Sequence, residues 1–295
     1  DVGSPGFYTV GEELSTSLNL TQLHARWRND DGPEAGMDAG TGADGSVTLS
    51  TSQNINTATL GSIRSTLSTY ADGIATTVSS FGSATGGTTL TVASATGLAA
   101  NDEVLLINLQ GDGTNNGNVG NYEFLEIQSI ASNTLTFKSG IQKMYGATTS
   151  NWVLSGQKVV LQRVPQWTDV TIQSGGTLTA SAWDGTSGGL IAFRATGSVT
   201  VNSGGSISAS ALGYQGGAGG TTGGGINGES YDGSVGSGGD DTVSGSGGGS
   251  PGTSGGGGSS NYTSPSPGGV RGGGGGGGNA DASRNNDGAG GAGGG

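Results

Sequence analysis

The first regular pattern in the chain is a strict alternation. Leu14, Thr16, Leu18 and Leu20 alternate with Ser15, Ser17, Asn19 and Thr21, which is the period of a strand with one apolar face. Glu12 and Glu13 before this run and Arg26 and Arg28 after it also suit a helix dipole. Ser and Thr are poor helix interiors, however, and the run reads as a strand. Asn29 to Gly45 reads as loop. Apolar runs then follow at Thr88–Ala93, Glu103–Leu109, Tyr122–Ile130, Thr134–Phe137 and Lys158–Val164, set between Gly and Asn clusters. Runs of that length and spacing predict the strands of a β-sandwich or barrel. Ile63–Ser80 is the other segment that reads as helix.

A repeat comes next. Val170-Thr-Ile-Gln-Ser-Gly-Gly-Thr-Leu-Thr-Ala-Ser181 recurs 29 positions later as Val199-Thr-Val-Asn-Ser-Gly-Gly-Ser-Ile-Ser-Ala-Ser210. Each copy reads as strand, Gly-Gly corner, strand, and Leu190–Ala195 between them reads as a further strand. A repeat of this length suits one coil of a β-solenoid. Stacking puts Val170 over Val199, Ile172 over Val201 and Leu178 over Ile207, a narrow apolar core with Thr and Ser outward. Two coils are too few to stand alone, so another surface must cover them.

From residue 213 onward, 37 of 83 residues are Gly. Ordering such a tract costs much backbone entropy. The arrangement expected for it is packed polyproline-II-type strands, with three residues per turn and no Cβ to keep them apart. The fold class predicted is therefore all-β. Its parts are an N-terminal arm at 1–44, a β domain at 45–165, a short β-solenoid at 166–215 and a glycine-rich tract at 216–295.

Composition narrows the function. The chain holds 66 Gly and 11% charged residues, with ten Lys and Arg against 22 Asp and Glu for a net charge of −12. Scattered, scarce cations argue against nucleic acid and against anionic membrane surfaces. Cysteine is absent, which removes disulfides and thiolate metal sites. No apolar run approaches the roughly 20 residues of a membrane helix. The chain opens at Asp1 without a charged-then-apolar leader, as expected of a mature secreted form.

Candidate chemistry is sparse. His24 is the single histidine and completes no triad or His cluster. Asp112, Thr114, Asn116 and Glu123, with Gly117 at the turn, approximate the spacing of a calcium loop. The same stretch also reads as an Asn/Gly hairpin loop. Asp30, Asp31, Glu34 and Asp38 are the densest acidic group, but a Gly/Pro loop more often solvates its charges. The glycine runs lack the Lys-Ser/Thr of a phosphate loop. Trp152, Trp167, Trp183, Tyr214 and Tyr231 are candidates for a sugar-stacking platform, with Trp167 and Trp183 foremost; packing in a thin β core is the competing role.

Several phrases together resemble a family of secreted glycine-rich proteins of gliding and surface-colonising bacteria. They include Thr89-Leu-Thr-Val-Ala-Ser-Ala-Thr-Gly97, Asp102-Glu-Val-Leu-Leu-Ile-Asn-Leu-Gln-Gly111, Gly120-Asn-Tyr-Glu-Phe124 and Arg163-Val-Pro-Gln-Trp-Thr-Asp-Val-Thr-Ile172. Trp183-Asp-Gly185, Gly188-Gly-Leu-Ile-Ala-Phe-Arg194 and Gly213-Tyr-Gln-Gly-Gly217 continue the match. The resemblance implies export, display at the bacterial cell surface and adhesive or structural use; from the residues themselves no cofactor is expected unless the Asp112 loop takes calcium. The leading expectation is a non-enzymatic filament or fibre subunit that self-assembles, the Leu14, Thr16, Leu18 and Leu20 strand adding to a neighbour's sheet edge. The alternatives are a monomeric adhesin that binds glycan and a polysaccharide-active enzyme on a β-solenoid.

Overall fold

The computed structural model describes residues 39–147 and 149–214, and beyond these 228, 229, 231, 233, 235 and 236. The arm with Leu14, Thr16, Leu18 and Leu20, the acidic group at 30–38, His24 and nearly all of the glycine tract lie outside the described residues. Within them the chain is all-β apart from a single helical turn.

Two ladders of parallel strands form one half. β1 (Gly45–Leu49) and β2 (Ser52–Asn54) make a first tier. After a long insertion, β9 (Gln166–Ile172) and β10 (Thr177–Thr179) make a second. β12 (Val199–Val201) and β13 (Ser206–Ile207) make a third, and β11 (Arg194–Ala195) pairs with the start of β9. The register is the one the repeat predicts: Val170 lies opposite Val199, Ile172 opposite Val201 and Leu178 opposite Ile207. Hydroxyls run up the flank, with Thr177 Oγ1 2.9 Å from Ser206 Oγ. The Gly-Gly corners are needed for two reasons. Gly175 and Gly204 take positive φ, 81° and 83°, which favours glycine. A Cβ on Gly205 would lie 2.7 Å from the Gln173 carbonyl oxygen of the tier beside it.

The tier at 45–54 was expected inside the β domain. Instead Val47 pairs with Val170 and Leu49 with Ile172, so the stack begins before the domain. Sequence repetition hides this, because the first tier turns on Ser50-Thr51 and carries no Gly-Gly. Its outer side is covered by residues 55–73: Ser62 N donates to Ser46 O and Gly73 N to Ile55 O, while Leu60 packs on the stack's core. Val47, Leu49 and Ile55 are accordingly buried. The other end differs from expectation. Val199, Val201 and Ile207 are 47%, 46% and 38% exposed, whereas Val170, Ile172 and Leu178 beneath them are 0% exposed. The apolar core therefore fills two tiers, and the third presents it to solvent.

The insertion is a closed barrel. It runs in the order β3 (Ala75–Phe81), β4 (Thr89–Val92), β7 (Thr134–Phe137), β6 (Tyr122–Ala131), β5 (Glu103–Gln110) and β8 (Lys158–Arg163), antiparallel throughout. Phe81, Leu90, Leu106, Leu125, Ile127, Leu135, Phe137 and Leu161 fill it. The helix expected at 63–80 is one turn, α1 (Arg64–Leu67), followed by β3. Thr76, Val78 and Phe81 face inward, and β3 closes the gap between β4 and β8; closure outweighs local preference.

A buried charged cluster joins barrel to stack. Arg163, the last residue of β8, gives Nη1 and Nη2 to the Asp44 carboxylate at 3.0 and 2.8 Å. Its Nε donates to Asp102 Oδ1 at 2.7 Å and Nη1 also to the Asp72 carbonyl at 3.1 Å. Burial lowers the affinity of this guanidinium for its proton, but the Asp44 and Asp102 carboxylates outweigh burial and hold its pKa above the ordinary value. Beside it Trp167 Nε1 donates to Asp72 Oδ2 at 2.7 Å, and Arg194 grips Glu103 at 2.7 and 3.1 Å.

Removing one partner of a buried, paired charge costs about 3–5 kcal/mol. Arg163→Ala is expected to lower unfolding stability in urea by that amount, and Ile172→Ala, in the sealed second tier, by about 2–5 kcal/mol. A loss below about 1 kcal/mol for Arg163→Ala, the usual ceiling for an exposed pair, would contradict the burial described.

Candidate functional site

Strand direction in the barrel puts three loops at the end opposite Arg163 and Asp102. They are 82–88 between β3 and β4, 111–121 between β5 and β6, and 138–157 between β7 and β8. Side-chain amides knit them into one surface. Asn151 is buried; its Oδ1 accepts from Tyr145 N at 2.6 Å and Gly146 N at 3.2 Å, while its backbone N–H donates to the Ala84 carbonyl of the neighbouring loop at 3.0 Å. Asn108 Nδ2 donates to Tyr145 O at 3.0 Å and to Gln157 Oε1 at 2.7 Å, and Gln157 Nε2 to Asn115 O at 2.7 Å. Asn118 and Asn121 hold Gly146 O and Met144 O at 2.7 and 2.8 Å. Buried amides with partners fix a loop in one conformation.

Tyr145 plugs the barrel mouth. It is fully buried, stacks on Phe81 at 5.8 Å between centroids, and donates its hydroxyl to Glu123 Oε1 at 2.9 Å. Burial, with the Glu123 charge beside it, pushes the phenol pKa upward, so this hydroxyl stays a donor. The Glu123 carboxylate also accepts from Gln142 N and Lys143 N at 2.7 and 2.8 Å.

On this fixed surface one large ring stands in solvent. Trp152 is 70% exposed, directly after the buried Asn151, and Val153 next to it is also exposed. The loop that carries it is rich in Ser, Thr and Asn, and Trp152 N donates to Ser150 Oγ at 3.3 Å. A second aromatic row lies down the barrel's side. Lys143 Nζ sits 4.7 Å from the Tyr122 ring, Tyr122 meets Phe124 edge-on at 6.1 Å, and Arg194 covers Phe124 at 4.4 Å. Both rings already have cationic partners, whereas among the described residues no ring or cation packs on Trp152.

The foremost stacking pair of the sequence is corrected. Trp167 is fully buried, packed on Phe193 at 4.8 Å and tied to Asp72; Trp183 is buried, edge-on to Tyr214 at 5.3 Å, with its Nε1 donating to Glu229 at 2.7 Å. Neither ring is available to a sugar. Each has its N–H satisfied inside, the usual condition for burying tryptophan. Tyr214 donates to the Leu109 carbonyl, and Tyr231 O accepts from Gly111 N at 2.9 Å. Of the candidate rings, Trp152 stands out as the exposed one. No period in the sequence marks it, because its exposure is set by how Asn151 anchors the loop.

The calcium set is not brought together. Asp112 Oδ1 accepts from Thr114 N, Thr114 Oγ1 and Asn115 N at 2.9, 2.8 and 2.7 Å, an Asx-type turn. Asn116 Nδ2 points back to the Asp112 carbonyl at 3.4 Å. Glu123 lies on β6 and serves the 142–145 loop. Among the described residues no group of three His, Asp or Glu side chains is arranged for a metal.

No protein family matches the chain by sequence, and no curated protein does. Among solved structures it is similar to the tailspike of Acinetobacter baumannii bacteriophage AP22, in complex with capsular saccharide: 16% identity over 44% of this chain and 22% of that one, with a TM-score of 0.25. It is also similar to the tailspike of Pseudomonas phage LKA1, at 14% identity over 53% of this chain and 26% of that one, with a TM-score of 0.25. A third is the tailspike of Pseudomonas phage phi297, at 16% identity over 52% of this chain and 24% of that one, with a TM-score of 0.22. The chain spans about a quarter of the length of these proteins.

The hydroxyl and amide of Thr114 hold the Asp112 carboxyl at about 2, below its ordinary 3.8. A depressed carboxyl stabilises the fold above its unfolded pKa and loses that contribution as pH falls through the folded value. The loop is expected to keep its turn at pH 4 and to open near pH 2. An NMR titration of the Asp112 carboxyl checks this, and Thr114→Ala moves the midpoint toward 3.8.

Proposed function

We propose that this chain is an extracellular, non-catalytic binding module of a bacterial surface, and that it holds glycan against Trp152. The observation that carries the reading is the contrast between Asn151, buried and bonded on three sides, and Trp152, which follows it and is 70% exposed. An aromatic ring held rigidly outward gives contact area at small entropic cost. An exposed indole on a Ser-, Thr- and Asn-rich loop suits a ligand with an apolar face and a hydroxyl rim, as a pyranose ring has. The loops supply no paired acid and base for hydrolysis: Glu123 is engaged by two amides and a phenol, and Asp112 by its own turn. Among the described residues no helix is long and apolar enough to cross a membrane. As architecture, the three tiers are proposed as a short β-solenoid that carries the barrel at its side.

A second reading, a self-assembling filament or fibre subunit, is favoured by a different observation. One end of the stack is covered by residues 55–73 and the other presents Val199, Val201 and Ile207. A terminal repeat with an apolar outer face needs a cover.

Glycan-array binding followed by titration separates the two. The first reading expects binding that Trp152→Ala weakens at least about tenfold, the loss of a central aromatic anchor, with the thermal midpoint unchanged. Absence of binding across bacterial and host glycans, or binding indifferent to Trp152→Ala, would overturn it. The second reading expects the protein to grow in sedimentation velocity as its concentration rises.

A further inference from the structure

Lys143 is exposed, yet its position is set from three sides. Its backbone N–H donates to Glu123 Oε1 at 2.8 Å, and its carbonyl accepts from Asn151 Nδ2 at 3.4 Å. Its ammonium sits over the Tyr122 ring, 4.7 Å from the centroid. A lysine stem on an open surface samples many rotamers, and an aromatic seat narrows that choice.

Direct pairing within the protein does not neutralise this charge. Lys138, Arg163 and Arg194 each pair with a carboxylate, whereas among the described residues none pairs with Lys143. Glu123 bonds its backbone N–H and not its ammonium. One oxygen of that carboxylate takes Gln142 N, and the other takes Lys143 N and the Tyr145 hydroxyl. Asp112, in the 111–121 loop, is engaged by its own turn. In a chain with 22 Asp and Glu against ten Lys and Arg, an ammonium seated on a ring without a carboxylate partner stands out.

The loop that holds Lys143 also holds Trp152, and one side chain closes it. Asn151 takes Tyr145 N and Gly146 N on Oδ1 and gives Nδ2 to the Lys143 carbonyl. Ala147 N donates to Val153 O at 2.7 Å. Residues 143–147 are thereby folded back on 151–153. Trp152 follows one Cα step, about 3.8 Å, after the residue that grips Lys143. Both side chains are open to solvent, and the Tyr122 seat is itself 44% exposed. One loop thus offers a single ligand an apolar ring and a positioned positive charge.

We propose that Lys143 is the second contact of the glycan site and makes it selective for acidic glycans. A carboxylate or other anionic substituent meets the Lys143 ammonium while a pyranose face lies on Trp152. The inference rests on the glycan-binding reading and adds the class of ligand to it. A neutral glycan gains nothing at Lys143, whereas an anionic one gains a charge-assisted contact. Lysine is a point charge without the planar fork of arginine. The contact therefore reads negative charge and not carboxylate shape, and a sulfate or phosphate substituent satisfies it too.

Titration of the full-length protein with two matched pairs of probes tests this. One pair is an oligogalacturonate and the same oligosaccharide with its carboxyls reduced to alcohols. The other is a sulfated oligosaccharide and its desulfated form. In at least one pair the acidic member is expected to bind at least about threefold more tightly, the size of an exposed ionic contact. That difference should shrink as salt is raised from about 0.05 to about 0.5 M. Lys143→Gln should abolish the preference and leave binding of the neutral member unchanged, while Lys143→Arg should keep it. Equal binding of acidic and neutral members, or a preference that survives Lys143→Gln, would overturn the proposal and leave the Trp152 reading standing. Binding indifferent to Trp152→Ala, or no binding of any of the probes, would overturn both.

Discussion

The arrangement depends on one guanidinium. Arg163 ends the last barrel strand and meets Asp44, just before the first stack strand, Asp102, just before β5, and the carbonyl of Asp72, in the segment that covers the first tier. Three segments far apart in sequence come together on this one side chain through four hydrogen bonds. The planar fork of arginine suits this, since it can meet one carboxylate bidentately and another through Nε. A buried pair of this kind contributes modestly to net stability, because desolvation offsets much of the attraction. Its value lies in the alternatives it penalises: any other docking of barrel on stack leaves a charge buried without a partner. Trp167 adds to this by tying the second tier to Asp72, and Arg194 by tying the third to Glu103 at the foot of β5.

This junction turns an insertion into a fixed platform. A barrel placed within a loop of the stack, between the first and second tiers, has two covalent connections and would swing on them if nothing else held it. With the charged cluster in place, the far loops have a defined position relative to the stack. Those loops are stiffened in turn by the side-chain amides of Asn108, Asn151 and Gln157, and the backbone bond from Asn151 N to Ala84 O brings in the third connection. Trp152 stands on that surface. Rigid scaffold and exposed aromatic are successive consequences of buried polar groups that have found partners.

Much of the barrel was legible in the sequence because its strands are apolar runs bounded by Gly and Asn clusters. Thr134–Phe137 is found as read, and the runs at 88–93, 103–109, 122–130 and 158–164 each give a strand with ends moved by a residue or two. The repeat gave the pairing of Val170 with Val199 because identical tiers stack in identical register. What escaped was anything decided by closure or by distant partners. β3 was hidden in a Ser/Thr-rich run and exists as a strand because the barrel needs a sixth. The first tier carries no Gly-Gly, so nothing in 45–54 announces that it stacks on 166–179. At the candidate site, Trp167 and Trp183 take the packing role that competed with sugar stacking, and Trp152 is the exposed ring. Trp167 and Trp183 sit in the repeat region, where their indole N–H groups find the carboxylates of Asp72 and Glu229, while Trp152 stands outward because the residue before it turns inward. The acidic residues 44, 72, 102 and 103 are scattered in sequence, and no spacing rule could have assembled them around two arginines.

The most direct test of this account is native-state hydrogen exchange across the junction, comparing amides of β8 in the barrel with those of β9 in the stack. If Arg163 makes one unit of the two halves, the slowest amides on either side open with the same free energy and the same denaturant dependence, as parts of one cooperative transition. If β9 opens at a distinctly lower free energy while β8 stays protected, the halves are separate bodies on a hinge, and the charged cluster does not hold the platform in place.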